Sequence, residues 1–147
     1  RRRQECGSAR VRKLASARMK TTMRELSNSE FKQGLEKRTL DFAVEVVRFV
    51  AGLKYNSVNA VLGRQLLSSA TSIGANYREA NRAESRADFI HKIGLVEKEA
   101  SETVYWLDLF SEVDSRDGNS RPILARLGTE ALELLKLFTA ISKRTKK

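Results

Sequence analysis

Cysteine, histidine and proline each occur once in this chain, as Cys6, His91 and Pro122. A lone cysteine excludes an internal disulfide, and one histidine is too few for a zinc site of the Cys/His kind, so a reducing cytoplasm is the expected setting. A di-iron bundle centre needs Glu-x-x-His on two facing helices, whereas this chain offers only Asp88-x-x-His91, and Asp88 is better explained as a helix cap. No metal and no cofactor are therefore expected. Uninterrupted apolar runs of about 18 residues are missing, as is an apolar run near the start, so neither membrane insertion nor secretion is expected. Glycine-rich phosphate loops, a G-x-S-x-G turn and a cysteine with a histidine partner are also lacking, which removes the common nucleophile and nucleotide motifs. The scarcity of proline, together with long periodic apolar segments in place of short alternating runs, indicates an all-α fold.

What the chain has in excess is positive charge: 28 Lys and Arg against 18 Asp and Glu, a net +10. Its distribution matters more than its size. Residues 1–24 hold nine basic residues and one Glu, and residues 143–147 hold four basic residues, while residues 25–142 hold 15 basic and 17 acidic. The body is near neutral between basic ends, which can serve as solubilising tails or as contacts to a polyanion. The stretch "RRRQECGSARVRKLASARMKTT" has little periodicity, so residues 1–24 are expected to be a disordered basic tail or a segment foreign to the natural chain, which would then begin at Met19 or Met23. Residues 25–142 are expected to form one domain and 143–147 a second basic tail.

Four amphipathic segments follow. The first is expected from Phe31 or Leu35 to about Leu53, with Leu35, Phe42, Val46 and Phe49 on one stripe and Leu40, Ala43, Val47 and Val50 on its neighbour. That face is wider than a bundle core requires, so one stripe is free to meet another subunit. Gly52 closes this helix and Asn56 or Ser57 caps the next. The second runs from about Val58 to Asn81 or Ala83 on a seam of Leu62, Leu66, Ser69, Ile73, Asn76 and Ala80, at heptad spacing. Ser85 and Asp88 have capping-box spacing before a third helix with the seam Phe89, Ile93, Val96, Ala100, Thr103, Leu107 and Phe110. After the polar connection "SEVDSRDGNSR", a fourth opens around Pro122 with Leu124, Leu127, Ala131, Leu134, Phe138 and Ile141 inward. Long helices with short links predict an antiparallel, up-and-down four-helix bundle.

Beside the apolar seam of the second helix runs a polar stripe of Gln65, Ser68, Ser72, Asn76 and Glu79. Small residues at 68–70, 72, 74 and 75 allow another helix to approach closely, and Asn76 and Glu79 read as buried groups that fix register, with ligand binding the alternative. Arg78, Arg82 and Arg86, four apart, would make a basic edge if the helix continued through "NRAE", although Glu79, Glu84 and Asp88 are close enough to neutralise it. Glu97, Glu99 and Glu102 gather on the third helix, where paired carboxylates can do acid–base work but more simply form a solvated or salt-bridged face. Tyr77, Tyr105 and Trp106 are expected to be packing residues.

The strings "LEKRTLDFAVEVVRFV", "GRQLLSSATSIGANYREANRAESRADFIHKI" and "EKEASETVYWLDLF" resemble the four-helix-bundle family of 23S rRNA intervening sequence proteins over roughly residues 33–142. The resemblance implies a bacterial, cytoplasmic protein without established enzymatic activity, assembled as a ring-shaped homo-oligomer in which a pentamer is favoured. It also implies kinship with accessory proteins of diversity-generating retroelements, which bind nucleic acid and a reverse transcriptase. The family's pattern falls on Gln65, Ser72, Ile73, Asn76 and Glu79, and on Phe89, Glu99, Glu102 and Trp106. After Asn76 this chain departs from it, with Tyr77, Arg78, Glu79 and Ala80 where many relatives have Ala-Glu-Gly. The expected function is binding of structured RNA, rRNA among the candidates, or of other nucleic acid, with Arg78, Arg82 and Arg86 as contacts. A structural or protein-interaction scaffold is the alternative, and catalysis by Glu99 and Glu102 near Asn76 a distant third.

Overall fold

The computed structural model describes the backbone of residues 2–113 and 120–147, and the side chains of residues 19, 28–113 and 120–147. Among them are four α-helices and no strand: α1 Arg2–Ala51, α2 Ser57–Ala80, α3 Arg86–Val113 and α4 Arg121–Thr145. Two units are distinguished, Arg1–Leu35 and Glu36–Lys147, the second holding the bundle. Most of the long polar connection, residues 114–119, lies outside the described residues.

The first helix starts at Arg2, well before the start near residues 31–35 that apolar spacing predicts. Residues 2–30 contain good helix formers and no proline, which permits helix, but they lack the apolar stripe by which a helix is recognised in sequence. At the other end α4 continues to Thr145, so residues 143–145 belong to its last turn.

Local signals fix the remaining boundaries. Gly52 donates its N–H to the carbonyls of Arg48 and Phe49 as α1 ends, and the Asn56 side chain accepts from the N–H of Asn59 at 2.7 Å to cap α2. Before α3, Ser85 Oγ accepts from the N–H of Asp88 at 3.1 Å while Asp88 Oδ2 accepts from that of Glu84 at 3.3 Å. This is a reciprocal cap of the expected kind, with its return bond displaced by one residue. Pro122 sits in the first turn of α4, where its missing N–H is without consequence.

Pairwise contacts define the packing. Asn81 reaches Glu36 and Gly74 approaches Thr39, while Gly63 approaches Val50, so α1 and α2 run antiparallel. Ser69 meets Thr103 and Glu79 meets Lys92 across α2 and α3. Arg86 donates to the carbonyl of Thr145 across α3 and α4. Arg38 grips Glu130 through two bonds of 2.6 and 2.9 Å, and Arg126 meets Glu45 at 3.0 Å, closing the circuit from α4 to α1. Aromatic rings join the diagonals: Phe49 with Phe110 at 5.5 Å and Tyr77 with Phe138 at 5.3 Å, both edge-on. Each helix thus runs opposite to its neighbours, and the axis is filled by fully buried Val46, Leu66, Ile73, Ile93, Val96, Leu107, Leu127, Leu134 and Phe138.

The seams follow the expected spacing with local exceptions. On α2, Leu62 and Asn76 are only half-buried, while Gly63, Ala70 and Tyr77 join Leu66, Ser69, Ile73 and Ala80 inside. A straight helix of 3.6 residues per turn drifts against a heptad, so its buried arc slides to the next position. For the same reason Ser142, not Ile141, ends the buried series of α4. Tyr105, expected to be packed, is 59% exposed and lies edge-on to Trp106 at 4.9 Å. The second stripe of α1 divides: Leu40 and Val47 are nearly half exposed, with exposed Val44 beside them, while Ala43 and Val50 are half-buried and Val50 faces Gly63 of α2.

Candidate functional surfaces

Residues expected to form a polar stripe lie along the α2–α3 seam. Its floor is a pair of buried hydroxyls, Ser69 and Thr103, which share a hydrogen bond of 3.0 Å; Thr103 also bonds to the carbonyl of Glu99 at 2.8 Å. A buried hydroxyl needs such partners to offset its lost hydration, and the two bonds provide them. The antiparallel register set by Ser69–Thr103 and Glu79–Lys92 puts Gln65 at the level of Trp106 and Ser72 at the level of Glu99.

The members differ in environment. Asn76 is half-buried and donates to the carbonyl of Ser72, one turn back, at 2.9 Å. Glu79, expected to be buried for register, is exposed and meets Lys92 at 3.5 Å, because its position on the helix points beyond the contact. Lys92 also pairs with Asp88 at 3.6 Å. Glu102 is exposed and meets Lys98 at 3.5 Å. Burial raises the Glu99 carboxyl above the usual range and the nearby Glu102 charge adds to the rise, while Lys98 opposes it. The indole Nε1 of Trp106 is buried without a hydrogen-bond partner among the described residues. Gln65 is exposed and Ser72 half-buried.

The arginines separate. The helix ends at Ala80 and a turn intervenes before Arg86, so Arg78, Arg82 and Arg86 do not form one helical edge. Arg78 approaches Glu36 at 4.0 Å, Arg82 is exposed, and Arg86 is tied to the end of α4. His91 is exposed, and among the described residues no group of three or more His, Cys, Asp or Glu is placed to hold a metal. No helix among them is long and apolar enough to cross a membrane.

A feature not singled out by motif reasoning lies where α1 turns into α2. Lys54, Tyr55 and Arg64 line a notch of about 370 Å³ floored by Val50, Leu53 and Leu67. The signal available in the sequence was an absence: no Asp or Glu occurs between Glu45 and Glu79.

Alternating helices around an aliphatic and aromatic axis, with a polar seam on one side, define an all-α four-helix-bundle protein. The chain belongs to the 23S rRNA-intervening sequence protein family, whose profile matches residues 32–138. It is similar to a crystal structure of a protein with unknown function from the S23 ribosomal protein family of Bacteroides thetaiotaomicron VPI-5482. The two share 38% sequence identity with a TM-score of 0.67, over 76% of this chain and 97% of that one. Among curated proteins none matches this chain.

Proposed function

We propose that this chain is a non-enzymatic, self-associating bundle protein of the bacterial cytoplasm that binds structured RNA, rRNA among the candidates, or another nucleic acid. The observation that carries the reading is the charge layout: Arg48, Lys54, Arg64 and Arg78 occupy a stretch of the bundle without a single carboxylate in sequence. Arg48, Lys54 and Arg64 are exposed and make no ion pair among the described residues. Phosphates supply the counter-charge that the sequence of this stretch lacks. The basic stretches 1–24 and 143–147 and the arginines Arg78, Arg82 and Arg86 add to that attraction. Of the two carboxylates considered for chemistry, Glu102 pairs with Lys98 on its own helix.

Purified protein carrying RNA, seen as excess absorbance at 260 nm and removed by ribonuclease, is the expected result. Affinity for that RNA should fall steeply between about 50 and 200 mM salt. Shortening the chain to residues 25–142 tests the source of binding: loss of all affinity at physiological salt would reduce the claim to unspecific attraction by polycationic ends.

The exposed stripe Leu40, Val44 and Val47 favours a second reading, a scaffold that assembles with itself and recruits another protein without nucleic acid. A ring of five copies is the assembly we carry over from the family resemblance. Light scattering of the full chain at micromolar concentration tests it, and a monomer would remove self-association from both readings.

A further inference from the structure

The corner between α1 and α2 combines three properties that one kind of ligand requires. First, its charge has one sign: Lys54 and Arg64 stand at the rim of the notch and neither has an acidic partner among the described residues. Second, its floor is apolar, made by Val50, Leu53 and Leu67. Third, Tyr55 is 93% exposed, the most exposed of the large hydrophobic side chains among the described residues. An aromatic ring left in water is available to stack against a planar ligand at little cost in lost contacts.

The connection carrying these groups is held by its own bonds. Asn59 Nδ2 donates to the carbonyl of Lys54 at 2.8 Å, the Asn59 N–H donates to Asn56 Oδ1 at 2.7 Å, and the Leu53 N–H donates to the carbonyl of Val50 at 3.2 Å. Gly63 fixes the adjoining wall: a Cβ there would lie 2.9 Å from Val50 Cγ1, so its absence lets α2 close on α1. The backbone that presents Lys54 and Tyr55 is thereby ordered before any ligand arrives, which reduces the entropy cost of binding.

We propose that this corner is a binding site for a single-stranded segment of nucleic acid, with a base stacked on Tyr55 and flanking phosphates on Lys54 and Arg64. The inference rests on the nucleic-acid reading above and names both the place and the form of the ligand. A duplex offers phosphates but keeps its bases stacked on each other, whereas an unpaired loop or end can give a base to an aromatic platform. The acid-free sequence from residue 46 to residue 78 distinguishes this corner from the α2–α3 seam, where Glu79, Asp88, Glu99 and Glu102 face two lysines, Lys92 and Lys98.

The test uses the full chain and two labelled probes, single-stranded oligouridine and a paired RNA duplex of equal length, with anisotropy read at several salt concentrations. Wild type should bind the single strand more tightly. Tyr55→Ala should weaken single-strand binding about tenfold or more and leave duplex binding unchanged. Lys54→Ala with Arg64→Ala should lower the salt slope for the single strand by about 1.4. All three side chains reach solvent, so an unchanged thermal unfolding midpoint is expected, and Lys136→Ala on α4 controls for general loss of charge. If wild type binds and the corner variants bind as it does, or lose no more than Lys136→Ala, the site is overturned while the nucleic-acid reading stands. If wild type binds neither probe nor copurified RNA, both fall.

Discussion

At the scale of single residues, the α2–α3 seam shows how burial acts on one carboxyl, that of Glu99. Glu99 lies far enough inside for burial to push its carboxyl above the usual carboxylate range, and the charge of Glu102, nearly a turn away, adds to the rise. A carboxyl whose folded value exceeds its unfolded value binds its proton more tightly in the native state. Its ionisation therefore costs nothing below the unfolded value, and stability is lost as pH rises through the folded value. Glu99→Gln should consequently leave the protein equally or more stable than wild type at neutral pH, with the difference closing as pH falls to the ordinary carboxylate range. Thermal unfolding across that range reads the effect, and a variant less stable at neutral pH would show that the ionised group makes a native contact. The cluster of three glutamates is visible in sequence; that Glu97 and Glu99 are half-buried while Glu102 is exposed is not, because neighbouring helical positions differ by 100° in direction.

At the scale of elements, small residues set how closely helices approach. A Cβ at Gly74 would come within 3.3 Å of Thr39 Oγ1, while one at Gly63 would come within 2.9 Å of Val50 Cγ1. Gly128, on α4, has nothing within 4 Å of the same position. Two substitutions of one kind should therefore have opposite signs. Gly128→Ala gains helix propensity and should stabilise by about 0.5–1 kcal/mol. Gly63→Ala gains the same propensity but forces Val50 aside, a strain of about 1–3 kcal/mol, for a net loss that Val50→Ala in the same chain relieves. Urea unfolding of the variants measures each difference. The glycines and serines around "SATSIGANYREANRAES" read in sequence as an interface signal. Which of them touch, and which merely face water, depended on the positions of α1 and α3.

For the whole molecule, the unpartnered stripe on α1 and the uneven charge are the features that point outward. Leu40, Val44 and Val47 follow i, i+4, i+7 spacing on a helix whose other side already fills the core. Self-association through that stripe predicts that Val47→Glu lowers the mass seen by light scattering without reducing helicity by circular dichroism. An assembled mass equal to wild type would place the contact elsewhere. The charge-lined faces between α1 and α4 have a different character, since Arg38 with Glu130 and Arg126 with Glu45 satisfy one another. Such exposed pairs are worth about 0–1 kcal/mol each and serve more to set register than to hold the fold.

Apolar period and caps were enough to determine the all-α class, the four core seams and the positions of most helix ends, because burial and backbone hydrogen bonding act locally and leave a mark every three or four residues. The start of α1 escaped that logic, since its first residues favour helix without carrying an apolar face. The sequence also contained every arginine of the expected basic edge, but the turn after Ala80 divides it, and a break in direction lies in the backbone, not in the spacing. Conversely, Lys54, Tyr55 and Arg64 share no motif, and only the turn from α1 into α2 brings them around one notch. Side-chain direction, and the distance between groups far apart along the chain, follow from how helices pack; tertiary structure alone decided those, and with them where the protein presents its charge.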